Sequence, residues 1–403
     1  MDLDTSGGQP RVHPLKIFDV AKSQRKFVYA CAPMVRYSKL AFRQTVHHYG
    51  TDLSWTPMIL AKEFNRNEFA RDSDLTMSST GPEVPTIVQF GANSPLEVSR
   101  ASSLVAPYVN GVDINCGCPQ SWACAETLGA ALMEKRELVH EMITTTRQRL
   151  RDDGWAVETD KDKGHLTKGR SVSVKIRVHK DLRKTVDFIT TVLGHEQNRY
   201  IDWLTIHPRT RHTPSRVPIN VEALELLTSM FGDKVPILVS GDVFTLSTLP
   251  YTSHLLDRQP TFTSTDSLGL GLESGPDEDE SETNEIPMPN GVKPHLPKLA
   301  GLMSARALLT NPALFAGHGT CPWEAVDVFM RNVARAPLPL KLAVHHLNEM
   351  CGTGFGPDRS ALLSKKERIR LNHIDNWIDV IDFMDEVKQA KGLGVITRLG
   401  GDV

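Results

Sequence analysis

A chain of 403 residues with 40% hydrophobic side chains can bury one large domain and a smaller one, which excludes global disorder. No apolar run approaches the roughly 20 residues needed to cross a bilayer, and residues 1–26 lack the apolar segment of a secretory signal. Six cysteines are too few for a disulfide framework, so we expect a reducing compartment, the cytoplasm or the nucleus. The net charge of −2 argues weakly against a nucleic-acid partner, but the charge is unevenly placed and is compatible with a local basic face.

Short apolar segments alternate with helical patterns over most of the chain. The pattern predicts strands at 27–31, 53–56, 85–90, 111–116, 171–178, 201–207, 235–239 and 298–303. It predicts helices at 38–50, 95–106, 128–150 and 220–231, another ending near 193, and one from 305 onward. Ser38 is predicted to cap the first helix, and Pro95 to stand in the first turn of the second. Eight strands that alternate with helices favour an α/β fold of the (β/α)8 TIM-barrel type over an open flavodoxin-like sheet.

The composition changes sharply in two parts of the chain. Residues 250–297 are rich in Ser, Thr, Gly, Pro and acidic side chains, so most of this segment is predicted to be a disordered insertion. Residues 319–403 show helical periodicity only, for example at Leu340, Val344 and Leu347. We therefore predict an N-terminal extension at 1–26, a catalytic barrel at 27–318, and a smaller all-helical domain at 319–403.

The fourth predicted strand leads directly into a thiol. Asp113 and Asn115 share one face of this strand, and Cys118 follows in the turn that Gly117 and Pro119 introduce. Ligands and catalysts of α/β barrels gather at the carboxyl ends of strands, so Cys118 is a candidate catalytic residue. Taken alone, such a cysteine is more often structural than catalytic.

A metal site is the alternative use of the cysteines in this region. Cys116, Cys118 and Cys124 lie close together in sequence, but no fourth ligand stands at a spacing typical of zinc sites. We therefore expect no metal, and we interpret Cys116 as a small buried apolar residue.

Polar side chains recur at the ends of the predicted strands. They are Gln89, Asn115, Lys175, His207 and Asp242, with Arg306 after the eighth strand. Chance would place two or three such residues there, whereas so many on different strands indicate one ligand site at the C-terminal face of the barrel.

Seven segments, taken in chain order, carry a family resemblance. They are Ala32-Pro33-Met34, Val88-Gln89-Phe90, Asp113-Ile114-Asn115-Cys116-Gly117-Cys118-Pro119, Gly129-Ala130-Ala131-Leu132, Lys175-Ile176-Arg177, His207-Pro208-Arg209-Thr210 and Ser304-Ala305-Arg306-Ala307-Leu308. From about residue 27 to 315, without the acidic insertion, the chain resembles tRNA-dihydrouridine synthases. The resemblance is greatest to the eukaryotic group that acts on the D-loop uridines 20a and 20b.

The resemblance implies an FMN-bearing barrel, a helical tRNA-binding domain, and reduction of the uracil C5–C6 bond with NADPH or NADH as reductant. In this chemistry the flavin N5 gives a hydride to C6, and an acid protonates C5 from the other face. Cys118 matches the position of that acid, and a free thiol ordinarily carries its proton at pH 7. The target uridine of the D-loop would be flipped out to lie on the flavin. We expect the enzyme to act as a monomer.

The resemblance also implies roles for further residues. The cofactor-binding positions would be Pro33, Met34, Val35, Gln89, Lys175, His207, Ser240, Gly241, Asp242, Ala305 and Arg306. Within this set, 33–35 would follow the isoalloxazine, and Gln89 and Lys175 would bond its polar edge. His207 would lie near the flavin and its phosphate, while 240–242 and 305–306 would form a phosphate cup. The substrate-binding positions would be Asn115, Arg209 and Arg211, although the two arginines would equally suit a solvated loop.

Two positions depart from the family pattern. Ser240 stands where Asn is usual, and Ala305 where Gly is common; both are expected to be tolerated because the backbone N–H groups would be the donors. Two other functions remain open from sequence alone. One is an FMN barrel oxidoreductase acting on a small pyrimidine-like molecule, and the other is a catalytically idle tRNA-binding scaffold.

Overall fold

The protein is a closed parallel barrel with helices around and beyond it. The computed structural model describes residues 12–77, 84–158, 167–195, 198–253, 295–296 and 298–393. Eight parallel strands of these residues close the barrel, each pairing with the next along the chain and the last with the first. They are β1 Val28–Cys31, β2 Leu53–Leu60, β3 Thr86–Gly91, β4 Gly111–Cys116, β5 Ser171–Arg177, β6 Leu204–His207, β7 Ile237–Ser240 and β8 Gly301–Ser304. The predicted (β/α)8 barrel is confirmed.

Helices cover the outside of this barrel. In chain order they are α1 Pro14–Ser23, α2 Leu40–His48, α3 Ala61–Arg66, α4 Glu68–Asp74, α5 Pro95–Val105, α6 Ser121–Ala125, α7 Arg136–Asp152, α8 Leu182–Leu193, α9 Val221–Phe231 and α10 Arg306–Thr310. The segment Gly129–Glu134 is a 3-10 helix, and Gly194–His195 pairs with Asn198–Arg199 in a two-stranded ladder outside the barrel. Because helices shield every strand, β3 and β4 are buried along their whole length, as expected for a parallel sheet.

The strand register aligns polar residues around the barrel interior. Asp113 of β4 lies level with Gln89 of β3 and with Ser173 of β5. Two residues further on, Asn115 lies level with Lys175, and Arg177 of β5 lies level with His207 of β6. Side chains at matched positions of neighbouring strands point the same way, so these residues converge near the carboxyl ends of the strands.

The N-terminal extension contains a helix, α1, that closes the opposite end of the barrel. His13 is its N-cap and accepts a hydrogen bond from the backbone N–H of Leu15 at 3.1 Å. The ring of Phe18 packs against Trp203, which in turn meets Trp55 edge-on. This helix was not predicted from the sequence, although its buried residues recur at every third position, 15, 18 and 21.

Of the two predicted helix starts, one is wrong and the other is confirmed. The prediction that Ser38 caps α2 is wrong, because Lys39 is the N-cap residue and makes no side-chain cap. The Ser38 hydroxyl instead accepts from the backbone N–H of Met34 and donates to its carbonyl, which closes the turn before α2. Pro95 does occupy the first turn of α5, where the Ser94 hydroxyl accepts from the N–H of Glu97.

The base of the acidic insertion belongs to the barrel. Tyr251 and Leu296 are each 1% exposed. The N–H of Leu296 donates to the carbonyl of Thr252 at 2.9 Å, and Thr252 also forms a bridge with His295. The predicted insertion therefore extends too far at both ends, whereas its centre, residues 254–294, lies outside the described residues.

Within residues 298–393, four helices follow the barrel: α11 Trp323–Arg335, α12 Leu340–Met350, α13 Lys365–Asn372 and α14 Trp377–Ala390. The Asn332 amide of α11 donates to the Thr45 hydroxyl of α2 at 3.0 Å. His346 of α12 lies between Phe42 of α2 and Phe329 of α11, with both ring centroids 5.0 Å away. The apolar core is thus continuous from the barrel into these helices. None of the helices in the described ranges is long and apolar enough to span a membrane.

Candidate active site

A cavity of about 560 Å³ opens at the carboxyl ends of the barrel strands. Its walls carry ten of the residues predicted for the site: Pro33, Lys175, His207, Arg209, Arg211, Ser240, Gly241, Asp242, Ala305 and Arg306. The other five, Met34, Val35, Gln89, Asn115 and Cys118, do not line it, although Pro119 next to Cys118 does. Val35 is 52% exposed on the rim.

A chain of hydrogen bonds connects the barrel interior to the Cys118 turn. The Gln89 amide donates to an Asp113 carboxylate oxygen at 2.8 Å, and the Asn115 amide donates to the Gln89 carbonyl oxygen at 2.7 Å. The other end of Asn115 accepts from the backbone N–H groups of Gly117 at 3.0 Å and Cys118 at 2.9 Å. Gln89 and Asn115 therefore support the turn from the barrel interior, while the side chain of Cys118 is partly exposed.

Asp113 anchors this series of hydrogen bonds, and it was not among the predicted site residues. Its second oxygen accepts from the Ser173 hydroxyl at 2.6 Å. Burial raises the pKa of the Asp113 carboxyl to about 6, against the opposing effect of these hydrogen bonds. Its alternation with Asn115 along β4 was the available signal, because both point to the polar face of that strand.

Lys175 and Arg177 bring positive charge to the wall beside Cys118. Burial, and then the charge of Arg177, lower the pKa of the Lys175 ammonium to about 8. The Arg177 guanidinium donates to the carbonyl of Gly117 at 2.7 Å and to that of Thr210 at 2.8 Å. Arg177, for which no role was predicted, thus joins the Cys118 turn to the loop after β6.

His207 is a neutral imidazole at the cavity wall. Its Nε2 lies 3.1 Å from a guanidinium nitrogen of Arg209, which can only donate, so Nε2 accepts and the proton resides on Nδ1. Burial and the nearby charges of Lys175 and Arg177 lower the pKa of the imidazole. Gly241, at φ +108°, lies so close that a Cβ there would be 2.8 Å from the ring, so only glycine fits.

Arg209 and Asp242 form a buried pair that joins two loops. The Arg209 guanidinium, 3% exposed, donates to Asp242 at 2.5 Å and to the carbonyl of Val217 at 2.7 Å. The second oxygen of Asp242 accepts from the N–H of Ile219 at 2.8 Å. The prediction placed Arg209 on the substrate and Asp242 in the phosphate cup, whereas the structure engages both side chains in holding the loops after β6 and β7.

Arg306 differs from Arg209 in its surroundings. Its guanidinium lies against the rings of Phe244 and Phe355, and among the described residues it has no hydrogen bond or ion pair.

Arg211 is exposed on the rim and donates to the His212 ring at 2.9 Å. In the described ranges, no group of three His, Cys, Asp or Glu side chains is arranged to hold a metal ion.

The residues around this cavity fit flavin mononucleotide. A volume of about 560 Å³ lies in the range of cofactor sites, roughly 300–1,000 Å³. Lys175 and the N–H groups of Arg306, which have no partner in the described part of the chain, suit an anionic ligand. Gly241 has no side chain, so a ligand can approach its backbone closely. The fold and this cavity define a (β/α)8-barrel protein with a cavity lined by cationic side chains at the carboxyl ends of the strands.

The sequence profile of the dihydrouridine synthase (Dus) family matches residues 30–252, and this chain belongs to that family. A relative from Schizosaccharomyces pombe, named tRNA-dihydrouridine(20a/20b) synthase [NAD(P)+], is 34% identical over 93% of this chain and 91% of its own. The protein of the same name from Saccharomyces cerevisiae is 32% identical over 93% and 83%. A human protein named tRNA-dihydrouridine(20a/20b) synthase [NAD(P)+]-like is 32% identical over 90% and 91%.

Likeness to solved structures is weaker. A putative fructose-1,6-biphosphate aldolase from Coccidioides immitis aligns over 94% of this chain and 99% of its own, with a TM-score of 0.39 and 12% identity. These values are too low to bear on function.

Proposed function

We propose that this protein is a tRNA-dihydrouridine(20a/20b) synthase, which reduces the C5–C6 bond of D-loop uridines with FMN as cofactor and NADPH or NADH as reductant. The family assignment and the names of three relatives that align over most of their length support the reaction and the substrate. The cationic cavity at the strand ends supports a phosphate-bearing cofactor.

The observation that carries the proposal is the position of Cys118. Its thiol stands in a turn that Asn115 fixes through two backbone N–H groups, directly beyond β4. Lys175 and Arg177 are near enough for their charges to interact with it. A partly exposed thiol fixed beside a cation-lined cavity is suited to give one proton to a carbon atom of a bound base.

The remaining residues bind and orient. FMN, when bound, would supply the hydride. Lys175 would stabilise negative charge on the polar edge of the ring, and Arg306 would bind the phosphate. Neutral His207 would present its Nδ1–H as a donor, since Arg209 occupies Nε2. Asp113, Gln89 and Asn115 would keep the Cys118 turn in one conformation.

Replacing Cys118 tests the proposed reaction. We expect Cys118→Ala to retain FMN and tRNA binding and to lose turnover by about a hundredfold to ten-thousandfold, the usual contribution of a general acid. The measurement is dihydrouridine mapping in tRNA from cells that lack the protein and express either form. Cys124→Ala is the matched control, because Cys124 is also partly exposed and its sulfur lies 3.8 Å from the Cys118 carbonyl oxygen.

Three results would count against the proposal. Equal modification by the Cys118 variant and its parent would remove the thiol from the mechanism. Unchanged dihydrouridine at positions 20a and 20b in cells without the protein would exclude the proposed substrate, and purified protein without flavin would favour an idle scaffold.

A further inference from the structure

The C-terminal helical region places an aromatic residue against two residues of the cavity wall, Phe244 and Arg306. Phe355 lies between α12 and α13 and stacks on Phe244, which follows β7, with ring centroids 4.8 Å apart and planes at 14°. The Arg306 guanidinium lies 5.4 Å from the Phe244 ring and 5.6 Å from the Phe355 ring. These three side chains, which we call the aromatic clamp, come from three separate segments of the chain.

Both segments that carry the rings are held in place. The hydroxyl of Thr245, next to Phe244, accepts from the N–H of Thr248 at 3.0 Å. A Cβ at Gly356, next to Phe355, would be 3.1 Å from the Thr245 methyl group, so the helical region packs closely against the barrel loop here. The N–H of Leu363 donates to the carbonyl of Cys351 at 3.0 Å and closes the base of the segment.

The clamp holds an arginine without occupying its donors. A guanidinium in contact with aromatic faces is attracted to them, yet its N–H groups remain available in its own plane. Among the described residues, Arg306 makes no hydrogen bond or ion pair, whereas the donors of Arg209 are engaged by Asp242, Val217 and His207. Arg306 lines the cavity, and its charge contributes to lowering the pKa of His207 after burial and the nearer cations.

We propose that Phe355 is a positioning residue for Arg306, so that the C-terminal helical region completes the phosphate-binding end of the barrel cavity. The ring acts through the guanidinium and does not touch the ligand. This inference rests on the proposed function, because it takes the FMN phosphate as the anion that Arg306 binds.

The test compares two ligands that differ only in the phosphate. FMN and riboflavin affinities are measured by flavin fluorescence on flavin-stripped, full-length protein. We expect Phe355→Ala to weaken FMN binding by about five- to twentyfold and to leave riboflavin binding within about twofold of the parent. A general loss of structure would weaken both ligands equally and lower the thermal unfolding midpoint.

Further variants separate the effect of the ring from packing. Phe355→Leu keeps an apolar side chain without a π face and should behave like Phe355→Ala, whereas Phe355→Tyr should retain the FMN preference. Arg306→Ala should lose the same preference, and adding Phe355→Ala to it should change little, since the ring acts through this arginine. Ile378→Ala, at a 71% exposed position on α14, is the neutral control.

The outcomes distinguish this inference from the proposed function. Parent protein that binds neither flavin overturns both. Parent protein that prefers FMN, together with an unchanged preference in Phe355→Ala and Phe355→Leu, overturns the positioning role alone. Equal, additive losses from Arg306→Ala and Phe355→Ala would also overturn it, because the two residues would then act separately.

Discussion

The arginines of the cavity differ in what surrounds their guanidinium groups. Arg209 is 3% exposed and bonds to Asp242 and backbone carbonyls, whereas Arg306 lies against two aromatic rings and has no hydrogen bond or ion pair within the described ranges. Sequence placed both beside a ligand, because each follows a strand of the barrel. The sequence did not distinguish the arginine held in an ion pair from the one stacked on aromatic rings, since the deciding partners, Asp242 and Phe355, lie 33 and 49 residues away in the chain.

Burial in the barrel interior makes the charged form of the Asp113 carboxyl unfavourable. Its folded pKa of about 6 lies above the ordinary value of 3.8, because burial opposes the charged form. The folded state therefore holds the proton more tightly than the unfolded state between these values. By linkage, the contribution of Asp113 to stability is largest below pH 4 and declines as the pH rises through 6.

We predict that Asp113→Asn removes this decline. Between pH 4.5 and 6.5 the free energy of unfolding of the parent should fall by about 2 kcal/mol relative to the variant, from the difference between the two pKa values. Urea unfolding at several pH values measures it. Asp72→Asn, at an exposed position on α4, should follow the parent at every pH. Parallel curves for the parent and Asp113→Asn would show that the carboxyl does not titrate in this range.

At the level of elements, hydrophobic pattern located the eight barrel strands, because each is short, apolar and bounded by turn residues. Their order and closure followed from alternation with helices. The contacts that fix the helices in place could not be predicted from the sequence. The hydroxyl of Ser38 bonds to Met34 rather than capping α2, and α1 packs under the barrel through Phe18 and Trp203. These contacts depend on how the segments are arranged in space, which the spacing of apolar residues along the chain does not determine.

The loops after β6 and β7 depend on one another through a single ion pair. We predict that Arg209→Met lowers the free energy of unfolding by about 3–5 kcal/mol, because Asp242, only 11% exposed, would keep a buried charge without its partner. Adding Asp242→Asn should recover part of the loss. Arg216→Met, exposed in the same loop, is the control for urea unfolding. A loss below about 1 kcal/mol would show that the pair is not essential to these loops.

Across the whole molecule, the barrel and the C-terminal helices share one apolar core. Sequence predicted a separate helical domain from the change of periodicity, and the four helices are there. The contacts that connect them to the barrel, such as Asn332 with Thr45 and His346 with Phe42, lie too far apart in sequence to be predicted. The aromatic clamp adds a contact between the helical region and Arg306, a residue of the cavity wall.

His346 makes this connection sensitive to acid. It is fully buried among Tyr37, Phe42 and Phe329, and burial, followed by the charge of His345, lowers its pKa to about 3. The unfolded chain protonates near 6.5. A histidine whose folded pKa is depressed contributes stability above pH 6.5, and this contribution is lost as the pH falls towards 3.

We predict that His346→Leu makes the protein less sensitive to acid. From pH 6.5 to 4.5 the parent should lose about 2 kcal/mol more of its free energy of unfolding than the variant, because its unfolded state gains a proton that the buried ring does not. His373→Leu, at an exposed position directly after α13, is the control and should follow the parent. If His346→Leu and the parent lose stability equally over this range, protonation of His346 on unfolding does not contribute to the acid sensitivity of the protein.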